Sequence, residues 1–525
     1  MKNDASSSHT VPHLHGQIQA LQEEVADLHR LMAEKEAQWE ATRQSLYEQL
    51  RLALARRFSP STEKYAIEQG DLLINEAEAA VDEEDAAAAE TPAENTAAPA
   101  RKRTRGGRVA LPPELPRVEV VHELDEAEQC CAEDGTALKV IGETISEELH
   151  VVPAQVEVIR HIRRQYACPT CEENVRIAPA PAKLLPKSNA SAALLAYVAT
   201  AKYQDALPLY RQSQIFARHG ADIPRNTLAR WMVQAGERLL PLTDTLRQHL
   251  LTAPLIHMDE TTLQVNREDG RTASAKSYLW VQRGGPPGQE VILFDYAPSR
   301  AGSVPVQLLG DYSGCLVTDG YEGYAEVVRC NGITHAGCWA HARRKFVEAQ
   351  KVQPKGKTGK ADWVINLIAK LCAVETQAKA LDPEARQALR EQKSRPLIHQ
   401  LRAWLDTSLT QVLPKSVLGK ALHYLDRQWP RLTRFLEDGR IPLDNNQAEN
   451  AIRPFVIGRK NWLFSDTPSG AQASAAIYSL IETAKANGLS PYDYLLYVFE
   501  TLPTLDKDDD LSLLLPWNLK DTLPN

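Results

Sequence analysis

The sequence lacks any apolar run near the ~18 to 20 residues that a bilayer crossing needs, which excludes a membrane-spanning helix. Met1 to His15 holds no apolar stretch that a signal peptidase could use, so a cytoplasmic protein is expected. Cysteine is scarce, at eight in 525 residues. That excludes a disulfide scaffold and turns any Cys-x-x-Cys toward metal or redox use. A basic excess is missing too: 60 Lys and Arg against 68 Asp and Glu leave −8, which taken whole counts against a nucleic-acid partner. What is present, 43% apolar and 24% charged residues, suffices for ordinary cores. The length suits about three or four domains at roughly 150 residues each.

The charge is unevenly spread. Glu76 to Ala100 holds eight acids and no base, so it carries the whole −8 and the other 500 residues sum to zero. With Ala, Glu and Pro and no aromatic residue it reads as a linker. Arg101 to Arg108 (RKRTRGGR) follows with five bases, either a solvated tether or an arm along a DNA backbone. Before the linker, Val11, Leu14, Ile18, Leu21, Val25, Leu28, Met32, Trp39 and Leu46 alternate steps of three and four, with Lys35 and Thr42 imperfect. Such a seam predicts a coiled coil or a helical hairpin, with dimerisation the simplest purpose. Leu50 to Lys64 continues as helix and stops at Ser59-Pro60.

Leu111 to Pro186 reads as short strands, with alternation over Pro116–Leu124 and Val156–Tyr166. The second runs into Cys168-Pro-Thr-Cys171, and Cys130-Cys131 stands near the first, the layout of a zinc ribbon. Cys131, Cys168 and Cys171 are candidate zinc ligands. Glu133 stands where a matching Cys is absent, so the fourth ligand would be Cys130, Glu133 or His122, and a metal-free remnant is the alternative. Asn189 to Leu242 is helical. A helix over Leu209–His219, a turn at Gly220 and a helix after Pro224 make a helix-turn-helix pattern. Arg225, Asn226 and Arg230 then stand where such motifs read base edges. Residues 155–230 carry eleven Lys and Arg against five Asp and Glu.

Strands follow at Pro254–Val265, Lys276–Gln282, Val291–Tyr296, Gly314–Gly320 and Asn331–His341, suggesting a mixed sheet flanked by helices. Asp259 and Asp319 are embedded in apolar strands, and a buried unpaired carboxylate is costly enough to need a reason. Joined by a third acid they could hold two divalent cations for in-line attack at phosphorus, with Mg²⁺ or Mn²⁺ preferring such oxygen ligands. Asp295 is a rival that reads better as structural. Glu449 sits one turn into a helix that Asp444 or Asn445 would cap. Arg343 to Lys360 carries seven bases against one acid, a candidate DNA-backbone track beginning with Arg343, Arg344 and Lys345.

Six segments in order, HMDET, VTDGYEGY, GCWAHARRKF, LDNNQAENAIRP, GRKNWLF and YSLIETAKANGLSPYDYL, resemble the transposases of the insertion-sequence 66 family. The upstream parts resemble that family as well. The resemblance implies a DDE enzyme with an RNase-H-like core, catalytic and metal-holding acids at Asp259, Asp319 and Glu449, and double-stranded DNA as partner. It also implies at least a dimer, since two transposon ends must be held together, and accessory transposition proteins encoded beside similar enzymes. The 130 residues between Asp319 and Glu449 imply a helical insertion, matched by Phe346–Arg440, with helices expected at Asp362–Leu381, Pro383–Leu413 (broken at Pro396) and Val417–Leu436. Similar enzymes carry a Cys-x-x-His beside the insertion, here Cys338 and His341, for packing or for a metal or DNA contact. Arg453, Arg459 and Lys460 are candidate phosphate contacts, and Trp462 stacks on a base or packs in the core.

The fold class expected is therefore multidomain α+β. The divisions are a coiled-coil arm 1–64, a linker 65–110, a zinc-ribbon-like β module 111–187 and a helix-turn-helix domain 188–250. A catalytic core follows over 251–346, interrupted by the helical insertion 347–440 and resumed over 441–500, with a tail 501–525. The tail, with its acidic run Asp506–Asp510, has no counterpart in the resemblance. A DNA-binding regulator with an inactive core, or an RNase-H-like nuclease without strand transfer, are the alternative functions.

Overall fold

The computed structural model describes residues 10–58, 155–166, 176–353, 359–506 and 509–523. The chain divides into two compact units, Met1–Ala87 with His161–Asn525, and Ala88–Arg160. Within the second, only 155–160 are described, and they form no regular element. Cys130, Cys131, Cys168 and Cys171 lie outside the described residues, as do the acidic and basic linker segments. Of the strand expected over Val156–Tyr166, only β1, Gln165–Tyr166, is paired, antiparallel to β2, Arg176–Ile177.

The N-terminal seam forms one helix, Thr10–Phe58, ending one residue before Ser59-Pro60. Ile18, Leu21, Val25, Leu28, Met32, Trp39 and Leu46 are all exposed along it. Its last turns are anchored: Glu48 Oε2 accepts the amide of Val417 at 2.9 Å, and Arg51 donates to the carbonyl of Val352 at 3.2 Å.

The centre of the larger unit is a five-stranded mixed sheet in the order β5-β4-β3-β6-β7. It comprises β3 (Leu255–Gln264), β4 (Lys276–Gly284), β5 (Val291–Ala297), β6 (Cys315–Thr318) and β7 (Thr334–Gly337). β3, β4 and β5 form an antiparallel meander, while β6 and β7 run parallel to β3. Strand alternation sorts side chains to two cores: Leu316 joins one, Val317 the other. The first core takes in the sheet, helices Ala192–Tyr203, Leu209–Arg218 and Arg225–Leu250, and the C-terminal helices Pro468–Ala486 and Pro491–Thr501. Helix Arg225–Leu250 thus begins as the second helix of the turn pair and ends packed beneath the sheet. Gly236 lets this helix lie close against helix Pro468–Ala486, because a Cβ there would come 2.5 Å from Ala473. Leu514, Leu515 and Leu519 of the tail belong to the same core.

The second core lies in the insertion, built from helices Trp339–Lys351, Lys360–Ala378, Pro383–Gln411 and Val417–Leu432. Two expectations are corrected here. The helix over Pro383–Gln411 runs through Pro396 unbroken. Pro396 is exposed, so the carbonyl it deprives of a partner can turn to water. The fifth strand stops at Gly337, and Cys338 caps the next helix rather than continuing the strand.

Candidate functional site

Three elements converge on the acids. His257 of β3 pairs with Val317 of β6, and continuing that parallel register two residues sets Asp259 beside Asp319. Glu449 comes from the first turn of helix Asn446–Trp462, which packs on β3, and is 3% exposed. Burial foremost, and then the charges of Glu260, Asp319 and Glu449, hold the Asp259 carboxyl well above the usual range. Asp319 Oδ1 accepts the amide of Tyr321 at 2.8 Å. Glu449 Oε1 is buried, accepts no hydrogen bond and lies 3.5 Å from His341 Nδ1. Burial disfavours a charged His341, but Cys338, Glu449 and Asp319 more than offset it and hold its pKa well above the ordinary value. Cys338, hydrogen-bonded to His341, is itself pushed up by burial.

The expected caps divide their work. Asp444 Oδ1 accepts the amide of Asn446 at 2.9 Å. Asn445 is wholly buried; its Nδ2 donates to the carbonyl of Met258 at 3.0 Å, and its Oδ1 lies 2.9 Å from His257 Nδ1. Burial lowers the pKa of His257 to about 4, so it stays neutral and serves as a fixed partner. His257 and Asn445 therefore tie the helix start to the strand that carries Asp259, and Glu449 follows one turn later. Asn445→Ala should cost about 2–4 kcal/mol, because it strands a buried carbonyl and a buried imidazole. The urea midpoint measures this, and a loss under about 1 kcal/mol would contradict the tie.

A fourth carboxylate, Glu260, was not among the candidates. Its side chain is 1% exposed, pairs with the Arg300 guanidinium and accepts the Tyr324 hydroxyl at 2.6 Å. Arg300 also lies 4.0 Å from Asp319 and 3.7 Å from the centre of the Tyr321 ring. Burial raises the pKa of Glu260, with Arg300 opposing. The signal was present in HMDET and in the tyrosines of VTDGYEGY. Asp295 is structural as expected, bonded by Arg247 at 2.5 Å and by Gln282 at 2.7 Å.

The basic candidates separate by burial. Arg225, Asn226 and Arg230 are exposed at the start of their helix, after a turn in which Gly220 has φ 83°. Lys345 and Lys460 are exposed, and Arg344 and Arg453 are half-buried. Arg343 is buried, on the apolar stripe of its helix with Trp339, Ala342, Phe346 and Val347, so it does not offer a free backbone contact. Lys345 lines a cleft with Gln49 and Leu52 of the N-terminal helix. Arg459 bonds the carbonyl of Thr262 and its hydroxyl, holding the end of β3. Trp462 packs on the first core and carries Lys202 4.9 Å above its ring.

Among the described residues, no helix is long and apolar enough to cross a membrane. The family model described as Transposase IS66 family matches residues 187–473. A zinc-finger binding domain of transposase IS66 matches 128–172, spanning Cys130, Cys131, Cys168 and Cys171. The IS66 C-terminal element matches 479–517, reaching into the tail, and a model described as Transposase C of IS166 homeodomain matches 45–120. Three curated relatives come from Sinorhizobium fredii. Uncharacterized protein y4jD is 34% identical over 443 residues, 80% of this chain and 85% of its own length. Uncharacterized protein y4qI is 32% identical over 431 residues (80% and 78%), and y4hP 30% over 489 (90% and 88%). With one such model over more than half of the sequence and relatives of this extent, the chain belongs to the transposase IS66 family.

Proposed function

We propose that the chain is a DDE transposase that binds the terminal inverted repeats of an insertion sequence and carries out metal-dependent strand cleavage and strand transfer. The observation that carries this reading is the convergence of Asp259, Asp319 and Glu449 from two adjacent strands and a helix. Like charges in a buried cluster are costly, and the raised pKa of Asp259 expresses that cost. Divalent cations relieve it, and an all-oxygen donor set suits Mg²⁺ or Mn²⁺. Asp259, Asp319 and Glu449 would hold the ions. When bound, the ions supply Lewis acidity toward the attacking and leaving oxygens of an in-line displacement.

The chain's own residues do the positioning. Arg300, held by Glu260 and Tyr321, stands on the Asp319 side, and His341 stands on the Glu449 side. Asn445 and His257 fix the helix that brings Glu449 in. The sheet, with its antiparallel meander and two parallel strands on the far side of β3, supports an RNase-H-like core. Exposed Arg225, Asn226 and Arg230 support DNA reading by the turn pair, and the exposed apolar stripe of helix Thr10–Phe58 supports a dimer. The zinc-finger match supports a structural Zn²⁺ on the upstream cysteines.

An assay with paired inverted-repeat ends, a target plasmid and Mg²⁺ tests the reading. Joined products are expected. Release of fragments without joining would favour a nuclease, and DNA binding without cleavage a regulator.

A further inference from the structure

We propose that Cys338, His341 and Glu449 form a second metal site, selective for a thiophilic divalent ion of the zinc class, which shares Glu449 with the acid cluster and inhibits strand cleavage when filled. The inhibitory half rests on the reading of Glu449 as part of the reacting centre. The site itself does not.

Cys338 precedes helix Trp339–Lys351 and His341 lies in its first turn, three residues on, so both face the start of helix Asn446–Trp462. The sulfur, an imidazole nitrogen and a carboxylate oxygen all lie within 4.8 Å of one another. His341 Nδ1 and Glu449 Oε1 are 3.5 Å apart. Zinc–ligand bonds of about 2.0–2.3 Å place neighbouring donors of a tetrahedral site roughly 3.3–3.6 Å apart, so small side-chain shifts suffice. The amide of Asn445 donates to Cys338 Sγ at 3.2 Å, a bond that favours thiolate over thiol. Glu449 Oε1 is buried, accepts no hydrogen bond and faces His341 Nδ1, so a metal ion can take the place of the imidazole's proton between them.

The donor set decides the ion. Sulfur, nitrogen and a single oxygen suit Zn²⁺ or Co²⁺, whereas Mg²⁺ has no use for a thiolate. Three protein ligands leave a fourth position open. Binding releases the Cys338 thiol proton and the proton of a charged His341 to solvent and turns Glu449 away from Asp259 and Asp319, so one carboxylate is contested by two classes of ion.

Co²⁺ serves as the probe, on the full-length chain with Cys168→Ser and Cys171→Ser to remove the upstream pair. Titration should produce a thiolate-to-cobalt absorption in the near ultraviolet and visible d–d bands, saturating at one equivalent and bleached by Zn²⁺. Cys338→Ser in that background should lose the thiolate band and weaken binding more than about tenfold; His341→Gln, which keeps the thiol, should weaken it similarly. No thiolate band, or one that survives Cys338→Ser, overturns the site. In the cleavage assay, the Zn²⁺ needed to halve the Mg²⁺-supported rate should rise more than about tenfold in Cys338→Ser, and unchanged Zn²⁺ sensitivity overturns the inhibitory role. If Mg²⁺ supports no cleavage at all, the transposase reading fails, while the Co²⁺ spectrum still decides the site.

Discussion

Asp259→Asn is expected to reduce strand transfer by at least about 10³-fold while leaving the chain folded, and in EDTA, at pH above the raised pKa of that carboxyl, to raise its melting temperature. Both effects have one cause. Asp259 is half-buried, and partial burial with the charges of Glu260, Asp319 and Glu449 beside it holds its pKa well above the ordinary value. Between the ordinary and the raised pKa, the folded protein binds more protons than the unfolded one. Metal-free stability therefore falls as pH rises through that window. Asparagine cannot ionise, so the variant loses this slope and is the more stable form above the window. Divalent metal reverses the preference, because it binds the carboxylate and stabilises only the parent. Melting curves across pH, in EDTA and in Mg²⁺, measure all of this. A variant less stable than the parent in EDTA at every pH, or one that still joins ends at the parent rate, would contradict the account.

Arg390→Ala should cost about 3–5 kcal/mol and loosen the insertion selectively. Arg390 has no exposed side-chain surface. It makes a two-pronged pair with Glu375 at 2.8 and 2.6 Å, donates to the carbonyls of Phe435 and Asp438 at 2.7 and 3.1 Å, and lies over the Phe435 ring at 5.3 Å. One side chain thus joins helices Lys360–Ala378 and Pro383–Gln411 to the short turn after Val417–Leu432. Alanine leaves a cavity, two unsatisfied carbonyls and a carboxylate without its cation. Arg390→Met with Glu375→Leu removes the charges together and fills the volume, so it should lose much less than the single change. Hydrogen exchange should localise the loss to 360–440 and spare the meander β3–β5. Equal losses in the single and double variants would show that packing, not pairing, sets the cost.

Much of this centre was legible in the sequence, because its signals are local. An acid inside an apolar strand is conspicuous, and Asp259 and Asp319 each read that way, whereas Glu449 stands out only by its place one turn into a capped helix within LDNNQAENAIRP. What stayed hidden were pairings between residues far apart in the chain. Asn445 and His257 are 188 positions apart, and each alone reads as an ordinary polar residue. Glu260 gains its meaning only when Arg300 and Tyr324 are placed beside it. The run RRKF shows the limit of counting charge: period-3.6 spacing sets Arg343 on the face of Trp339, Phe346 and Val347 and leaves Lys345 outward. Pro396 misleads in the opposite sense, since a helix edge open to water tolerates the missing bond. The net charge of −8 says little about partners, because one 25-residue stretch supplies it.

The central claim is that three carboxylates form one metal-dependent strand-transfer centre. A crystal structure of the chain with transposon-end DNA and Mn²⁺, read by anomalous scattering, tests it most directly. The account predicts manganese between Asp259 and Asp319 and against Glu449, with the terminal phosphate at the ions. Manganese bound elsewhere, or the end phosphate lying away from these three side chains, would contradict it.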